Sequence, residues 1–316
     1  MCDLTKPIFT DEYKAFEYLE SVRWPKGPIC PHCGSVDNLT RLAGDSTRMG
    51  LHQCNNCQGH FTVTVGTVYE RSHIPLHKWL LATHLMCASK KGISSLQLSR
   101  MLGLTYKSAW FMTHRIRESM VPLNAGPLGS GGGIVEADET YWGTSPRSKK
   151  AQAIRKAGGK VSGADKQKVV SLVERDGNVR SFHVASVNGK TLKADLHGNI
   201  AKDANLMTDD LRMYRSIGKN FASHEAVNHS SGEYARGNVT TNTVESFFAL
   251  FKRGLIGTFH HVSPKHLGRY ATEFDFRHNT RTALGYTDAQ RTEIALKGIG
   301  GKRLTYRRIE GAQAAV

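Results

Sequence analysis

The chain has 316 residues, 39% of them hydrophobic and 22% charged, which is room for two or three units with buried cores. No apolar run approaches the ~18–20 residues of a membrane span, and the N-terminal MCDLTKPIFTDEYKAF lacks the charged-then-apolar layout of a signal peptide. A helical membrane protein and an exported one are therefore excluded as expectations, and a cytoplasmic protein, nucleoid-associated when bound to DNA, is expected. Lys and Arg number 43 against 27 Asp and Glu, a net charge of +16 that suits a polyanion such as DNA or RNA.

Residues 9–22 (FTDEYKAFEYLESV) predict a short amphipathic helix, with Phe16, Leu19 and Val22 at helical spacing. Two CxxC pairs follow, Cys30–Cys33 and Cys54–Cys57, separated by 20 residues. Four thiolates on two tight turns supply the tetrahedral sulfur shell of a structural Zn²⁺, so a zinc ribbon is expected within residues 1–70. Gly34 and Gly59 suit the two turns. His32 reads as a surface residue and Cys87 as core. Residues 75–120 predict three helices, within a helix-turn-helix DNA-binding region expected over 71–124. Within them, KGISSLQLSRMLGLTYKSAWFMTHRIRE at 91–118 has a helix-turn-helix layout with Gly103 in the turn. Lys107, His114, Arg115 and Arg117 are candidates to face phosphates or base edges; a helical hairpin without DNA contact is the alternative.

Residues 125–133 are Gly-rich and read as a linker. From 134 to 290 the pattern is α/β: a strand IVEAD, two strands within 168–186 joined at Asp176–Gly177, a helix at 191–201, strands at 204–209 and 221–228, and a helix at 242–255. Eight Lys or Arg and two acids fall within 139–168, a basic insertion expected to form a loop or hairpin gripping the DNA backbone through Lys149, Lys150, Arg155 and Lys156. A basic tail is expected over 291–316.

Asp138 and Asp209 each end a predicted strand, where open α/β sheets bind ligands, and Glu245 lies in the helix after Asn242. Three such acids can hold two Mg²⁺ or Mn²⁺ ions for phosphoryl transfer. Lys252, two helical turns after Glu245, could contact the DNA backbone beside them. From spacing alone solvated surface charge is the commoner reading of such a trio, the more so as Glu136, Glu139 and Asp210 adjoin it.

The chain resembles the IS1595-type (ISXO2-like) insertion-sequence transposases, relatives of the Merlin transposons. The resemblance runs through RWPKGPICPHCG at 23–34, EADETYWG at 136–143, LMTDDLRMY at 206–214 and the block at 227–281. It implies a zinc-ribbon N-terminus and an RNase H-like core with a DDE acidic triad. The DET motif maps the first acid to Asp138, the TD motif the second to Asp209, and TNxxE the third to Glu245, with 35 residues between the last two. Lys252 matches the lysine after the third acid, and Asn242 is a candidate DNA contact. Thr240 stands where many relatives have His, and Phe248 where Trp is common. His229, Glu233 and Tyr234 are accessory candidates, with a structural role equally open; Arg277, His278, Asn279 and Arg281 brace the catalytic helix or touch DNA. The function so implied is a DNA transposase that binds terminal inverted repeats of double-stranded DNA, cuts, and joins the ends to target DNA as a homodimer or larger assembly. The rivals are a DNA-binding regulator without catalysis and an RNase H-like nuclease without strand transfer.

Overall fold

The computed structural model describes residues 3–123, 125–143, 149–159 and 166–305, the side chains of 149–151 excepted. They form two compact units: residues up to Leu123 together with those from Gly285 onward, and the residues between. No helix among them is long and apolar enough to cross a membrane.

In the first unit, helix α1 (Glu12–Arg23) buries Ala15, Phe16 and Leu19. Asp11 is its N-cap: the carboxylate accepts the Lys14 N–H at 3.0 Å and caps the first turn. Strands β1 (Leu39–Arg41), β2 (His52–Cys54) and β3 (His60–Phe61) follow as an antiparallel sheet. Three helices come next: α2 (Leu76–Ala88), α3 (Ser95–Leu102) and α4 (Tyr106–Ser119). Ser94 and Thr105 cap α3 and α4, and Gly103 ends α3 in the left-handed region, φ 61°. Cys87 is fully buried in α2, as expected for core.

The second unit opens with the Gly-rich segment, which is docked rather than free: the Leu128 N–H donates to Asn199 O at 2.8 Å. Gly129 (φ +74°) has to be glycine, since a Cβ would lie 2.6 Å from that of Ala204. Strand β4 (Ile134–Trp142) leads through helix α5 (Lys149–Lys156) to β5 (Gln167–Glu174) and β6 (Val179–Val184). Helix α6 (Gly189–Asn199), β7 (Asn205–Asp209), α7 (Arg212–Ile217) and β8 (Ser223–Val227) complete the sheet, of order β6-β5-β4-β7-β8. Strands β4, β5 and β6 run antiparallel; β7 and β8 run parallel to β4. A small hairpin, β9 (Ala235–Arg236) and β10 (Val239–Thr240), precedes α8 (Asn242–Gly254) and α9 (Pro264–Asn279).

Two cores flank the sheet. Val135, Ala137, Val170 and Leu172 pack with Leu192 and Leu196 of α6 and Tyr214 of α7. On the other face Val169, Val173 and Val179 pack with Val244, Phe247, Phe248 and Phe251 of α8 and Phe274 of α9. Burying each phenylalanine contributes about 2 kcal/mol, several times an i,i+4 charge pair. The aromatic stripe therefore sets the rotation of α8 and turns Glu245 and Lys252 outward, both exposed.

Helix α9 carries a buried acid. Asp275 accepts the Ser181 N–H at 2.8 Å and the Ser181 hydroxyl at 2.6 Å, and burial nevertheless pushes its carboxyl up to about 7. Its folded pKa thus lies above the unfolded value, so the native state holds an extra proton between about pH 4 and 7. The stability it contributes is complete at low pH and is lost as pH rises through 7. Asp275→Asn is expected to flatten the fall in Tm between pH 5 and 8 relative to wild type; parallel Tm curves would contradict this.

The segment after Leu284 differs from the expected tail. Helix α10 (Asp288–Lys297) belongs to the first unit, where His84 Nδ1 and the Thr292 hydroxyl lie 2.9 Å apart and Arg291 donates to Cys87 O at 3.2 Å. Lys302 donates to Val121 O at 2.6 Å, so the basic stretch begins as a tether; 306–316 lie outside the described residues.

Candidate active site

The two CxxC turns bring four sulfurs together. Cys30 and Cys57 Sγ lie 3.7 Å apart, Cys33 and Cys54 Sγ 3.6 Å, and all four fall within 4.8 Å of one another. A tetrahedron of ~2.3 Å Zn–S bonds has edges of about 3.8 Å, so the shell fits one Zn²⁺. The N–H groups of Cys57 and Asn56 point at the Cys54 sulfur and, with the neighbouring thiols, draw its proton affinity down, while desolvation and the same crowding of sulfurs raise Cys33 and Cys57, so without a cation the four thiols do not all ionise together. Gly34 has the expected left-handed φ of 76°, but at the second turn Gln58 takes it (φ 55°). Gly59 is required for space instead: a Cβ would lie 2.8 Å from the His32 ring and 3.3 Å from Cys57 Sγ. His32 stays outside the sulfur shell, 3.3 Å from His60 O.

The acidic residues meet in the second unit. Ala137 and Thr208 are the last paired residues of β4 and β7, so one step on Asp138 and Asp209 stand side by side on adjacent strands. Asp138 does not close its strand as expected: β4 continues to Trp142 against β5, and only the parallel partner ends there. Burial, and then the carboxylates of Glu139, Asp209 and Glu245, push the Asp138 carboxyl up to about 7, against the pull of the Glu139 N–H at 2.7 Å. Burial also raises Asp209, while the Leu211 N–H at 3.2 Å and His229 hold it down. Asp210 is engaged elsewhere, 2.7 Å from Arg215. Glu245, 47% exposed, accepts the Thr241 hydroxyl at 3.0 Å and lies 3.4 Å from His229 Nε2, which places His229 between the second and third acids. Among the described residues only the cysteines form a group of three or more ligand atoms within 4.8 Å, so the three acids stand farther apart than the sulfurs do. Hard oxygen donors whose mutual repulsion a divalent cation would relieve fit Mg²⁺ or Mn²⁺.

The other candidates separate. Arg115 and Arg117 do not face outward: they are 7% and 1% exposed. Arg115 donates to Val68 O and, at 2.6 Å, to Glu70 O, with its guanidinium 4.9 Å over the Trp79 ring. His114 is buried with them. The whole helix from Met112 to Met120, Glu118 excepted, is enclosed, whereas Tyr106 and Lys107 at its start are exposed. Arg115→Ala strands two buried carbonyls and is expected to destabilise the protein by about 2–4 kcal/mol. Thermal unfolding checks it; an unchanged Tm would contradict the placement. Arg155 and Lys156 are exposed on α5, a helix where a loop or hairpin was expected; the side chains of Lys149 and Lys150 lie outside the described residues. Asn242 is exposed at the start of α8. Arg277 pairs with buried Glu273 within α9, and the His278 ring packs edge-on against Phe247 of α8, 5.6 Å between centroids; Asn279 brackets Val179 through its N–H (2.6 Å) and carbonyl (3.0 Å) and Arg281 donates to Gly177 O at 3.0 Å, so these last two brace the β5–β6 turn.

Sequence reasoning passed over Glu136 as one more acidic neighbour. It is fully buried, two residues before Asp138 on the same face of β4, and bonded to the start of α8. Its parity with Asp138 was the available signal.

A four-cysteine ribbon precedes a mixed α/β sheet on which two aspartates stand side by side near a glutamate. Residues 10–60 match the transposase zinc-ribbon domain and residues 131–279 the ISXO2-like transposase domain. Both domain models of the ISXO2-like transposases thus match this chain, in that order. A protein of Halobacterium salinarum described as an uncharacterized protein in transposable element ISH50 is 28% identical over 279 residues, covering 85% of this chain and 91% of that one.

Proposed function

We propose that the chain is the DNA transposase of an insertion sequence, with an RNase H-like DDE core. The observation that carries this is the convergence of Asp138, Asp209 and Glu245 in a domain that matches the ISXO2-like transposases. The sheet order, three antiparallel strands followed by two parallel ones, supports the RNase H-like assignment. Asp138, Asp209 and Glu245 hold two Mg²⁺ or Mn²⁺ ions, which when bound stabilise the attacking and leaving oxygens at phosphorus. His229 keeps Glu245 in place, and Lys252 on the same face of α8 meets the DNA backbone. Water adds to a phosphorus at each element end; the 3′ oxygen leaves and takes up a proton, giving a 3′-hydroxyl and a 5′-phosphate. Each 3′-hydroxyl then attacks a phosphorus of target DNA, expelling the target strand's 3′ oxygen. Two ends act together, so a homodimer or larger assembly forms on double-stranded DNA.

In this reading the zinc ribbon and the exposed start of α4 read the terminal repeats, while Arg155 and Lys156 grip phosphates. Lys107→Ala is expected to weaken binding and to lower the slope of log K against log salt by about 1. An unchanged slope would remove Lys107 from the interface. The test of the function is incubation of the protein with its own gene's flanking DNA in Mg²⁺ or Mn²⁺: nicks at two defined positions support it, and retarded but uncut DNA favours a regulator without catalysis.

A further inference from the structure

We infer that Glu136, locked to Arg175, is a positioning residue that sets the distance between the first and third acids; this rests on the metal-binding reading of those acids. Glu136 Oε2 accepts the N–H groups of Thr243 (2.8 Å) and Val244 (3.0 Å), and Oε1 accepts the Thr243 hydroxyl (3.0 Å) and Arg175 Nε (2.7 Å). One buried carboxylate thus takes four donors. The N-terminus of a helix needs acceptors for its free N–H groups and favours an anion. Helix α8 obtains no side-chain cap from Thr241, its own N-cap residue, so the anion comes from the strand.

The consequence lies in the register. Glu136 is two residues before Asp138, and its acceptors grip residues 243 and 244, immediately before Glu245. Strand and helix are joined at the point where each presents its acid. Arg175 extends the joint: its Nη1 donates to Asn238 O (2.8 Å) and Oδ1 (2.7 Å) and its Nη2 to Thr240 O (3.1 Å), holding the β9–β10 hairpin that feeds α8. A buried ion pair is a poor source of stability compared with an apolar pair of the same size. Its many directed bonds instead fix geometry, as outer partners of metal ligands do.

The test uses full-length, zinc-loaded protein and Mn²⁺ binding followed by electron paramagnetic resonance. Wild type is expected to show a component lost in Glu245→Gln. Glu136→Gln removes the charge and turns an amide N–H toward donors; Glu136→Asp keeps the charge but shortens the reach. Both are expected to weaken the Glu245-dependent component about 10-fold or more while zinc content and circular dichroism stay as in wild type. Cleavage at saturating Mn²⁺ is expected to fall about 10–100-fold. Folded variants that bind Mn²⁺ as wild type does would overturn the role. So would loss of the fold in both, which would make Glu136 a stability residue. Absence of any Glu245-dependent component in wild type is a separate result, one that overturns the metal reading itself.

Discussion

Glu245→Gln is expected to lower metal-dependent DNA cleavage by about 10³-fold while leaving the protein folded. The side chain is 47% exposed and contributes nothing to the aromatic stripe of α8, so an isosteric amide does not disturb the packing that fixes the helix. The Thr241 hydroxyl can still donate to the amide oxygen. The negative charge is lost, and with it one of the three anionic ligands proposed for the metal. Metal ions at such sites supply several kcal/mol of transition-state stabilisation, and about 4 kcal/mol corresponds to the expected 10³-fold. Rates of nicking at saturating metal, with zinc content as the control for folding, check it. Residual activity above about a tenth of wild type would remove Glu245 from the ligand set.

Cys54→Ser is expected to release the zinc and unfold the ribbon. Its strands have only three, three and two residues, too short to hold together unaided. Structural zinc supplies about 10–16 kcal/mol in small cysteine domains at neutral pH, far more than the packing of Trp24 against His52 and Phe61 provides. Elemental analysis is expected to find one zinc per wild-type chain and almost none in the variant. Proteases are expected to cut the variant within 25–61 while sparing the second unit. A wild-type protein free of zinc, or a variant that retains it, would contradict the ribbon.

The residues that carry chemistry through local sequence were legible. The CxxC spacing, the three helices over 75–120 and the strong apolar period of α8 depend on neighbours in the chain, and the structure bears them out. The ISXO2-like resemblance is likewise borne out by both matching domains. Arg115 and Arg117 were misplaced because periodicity names one apolar face and is silent on whether the opposite face is also covered. Here the Val68–Glu70 segment and Trp79 cover it. The helix α10 was passed over although TDAQ at 287–290 carries a capping-box signature, and the structure forms that box between Thr287 and Gln290. Its return to the first unit depends on contacts some 200 residues apart, which no local pattern encodes. The Glu136 joint is of the same kind, linking residues separated by 107 and 108 positions.

The proposal that Asp138, Asp209 and Glu245 cut DNA ends and join them to a target is open to direct test. The direct measurement combines wild-type protein, a duplex carrying the gene's flanking ends with free 3′-hydroxyls, a supercoiled target plasmid and Mg²⁺ or Mn²⁺. Covalent joining of both 3′ ends to target strands is expected, absent in Glu245→Gln. Cut ends that never join would contradict it and leave a nuclease in its place.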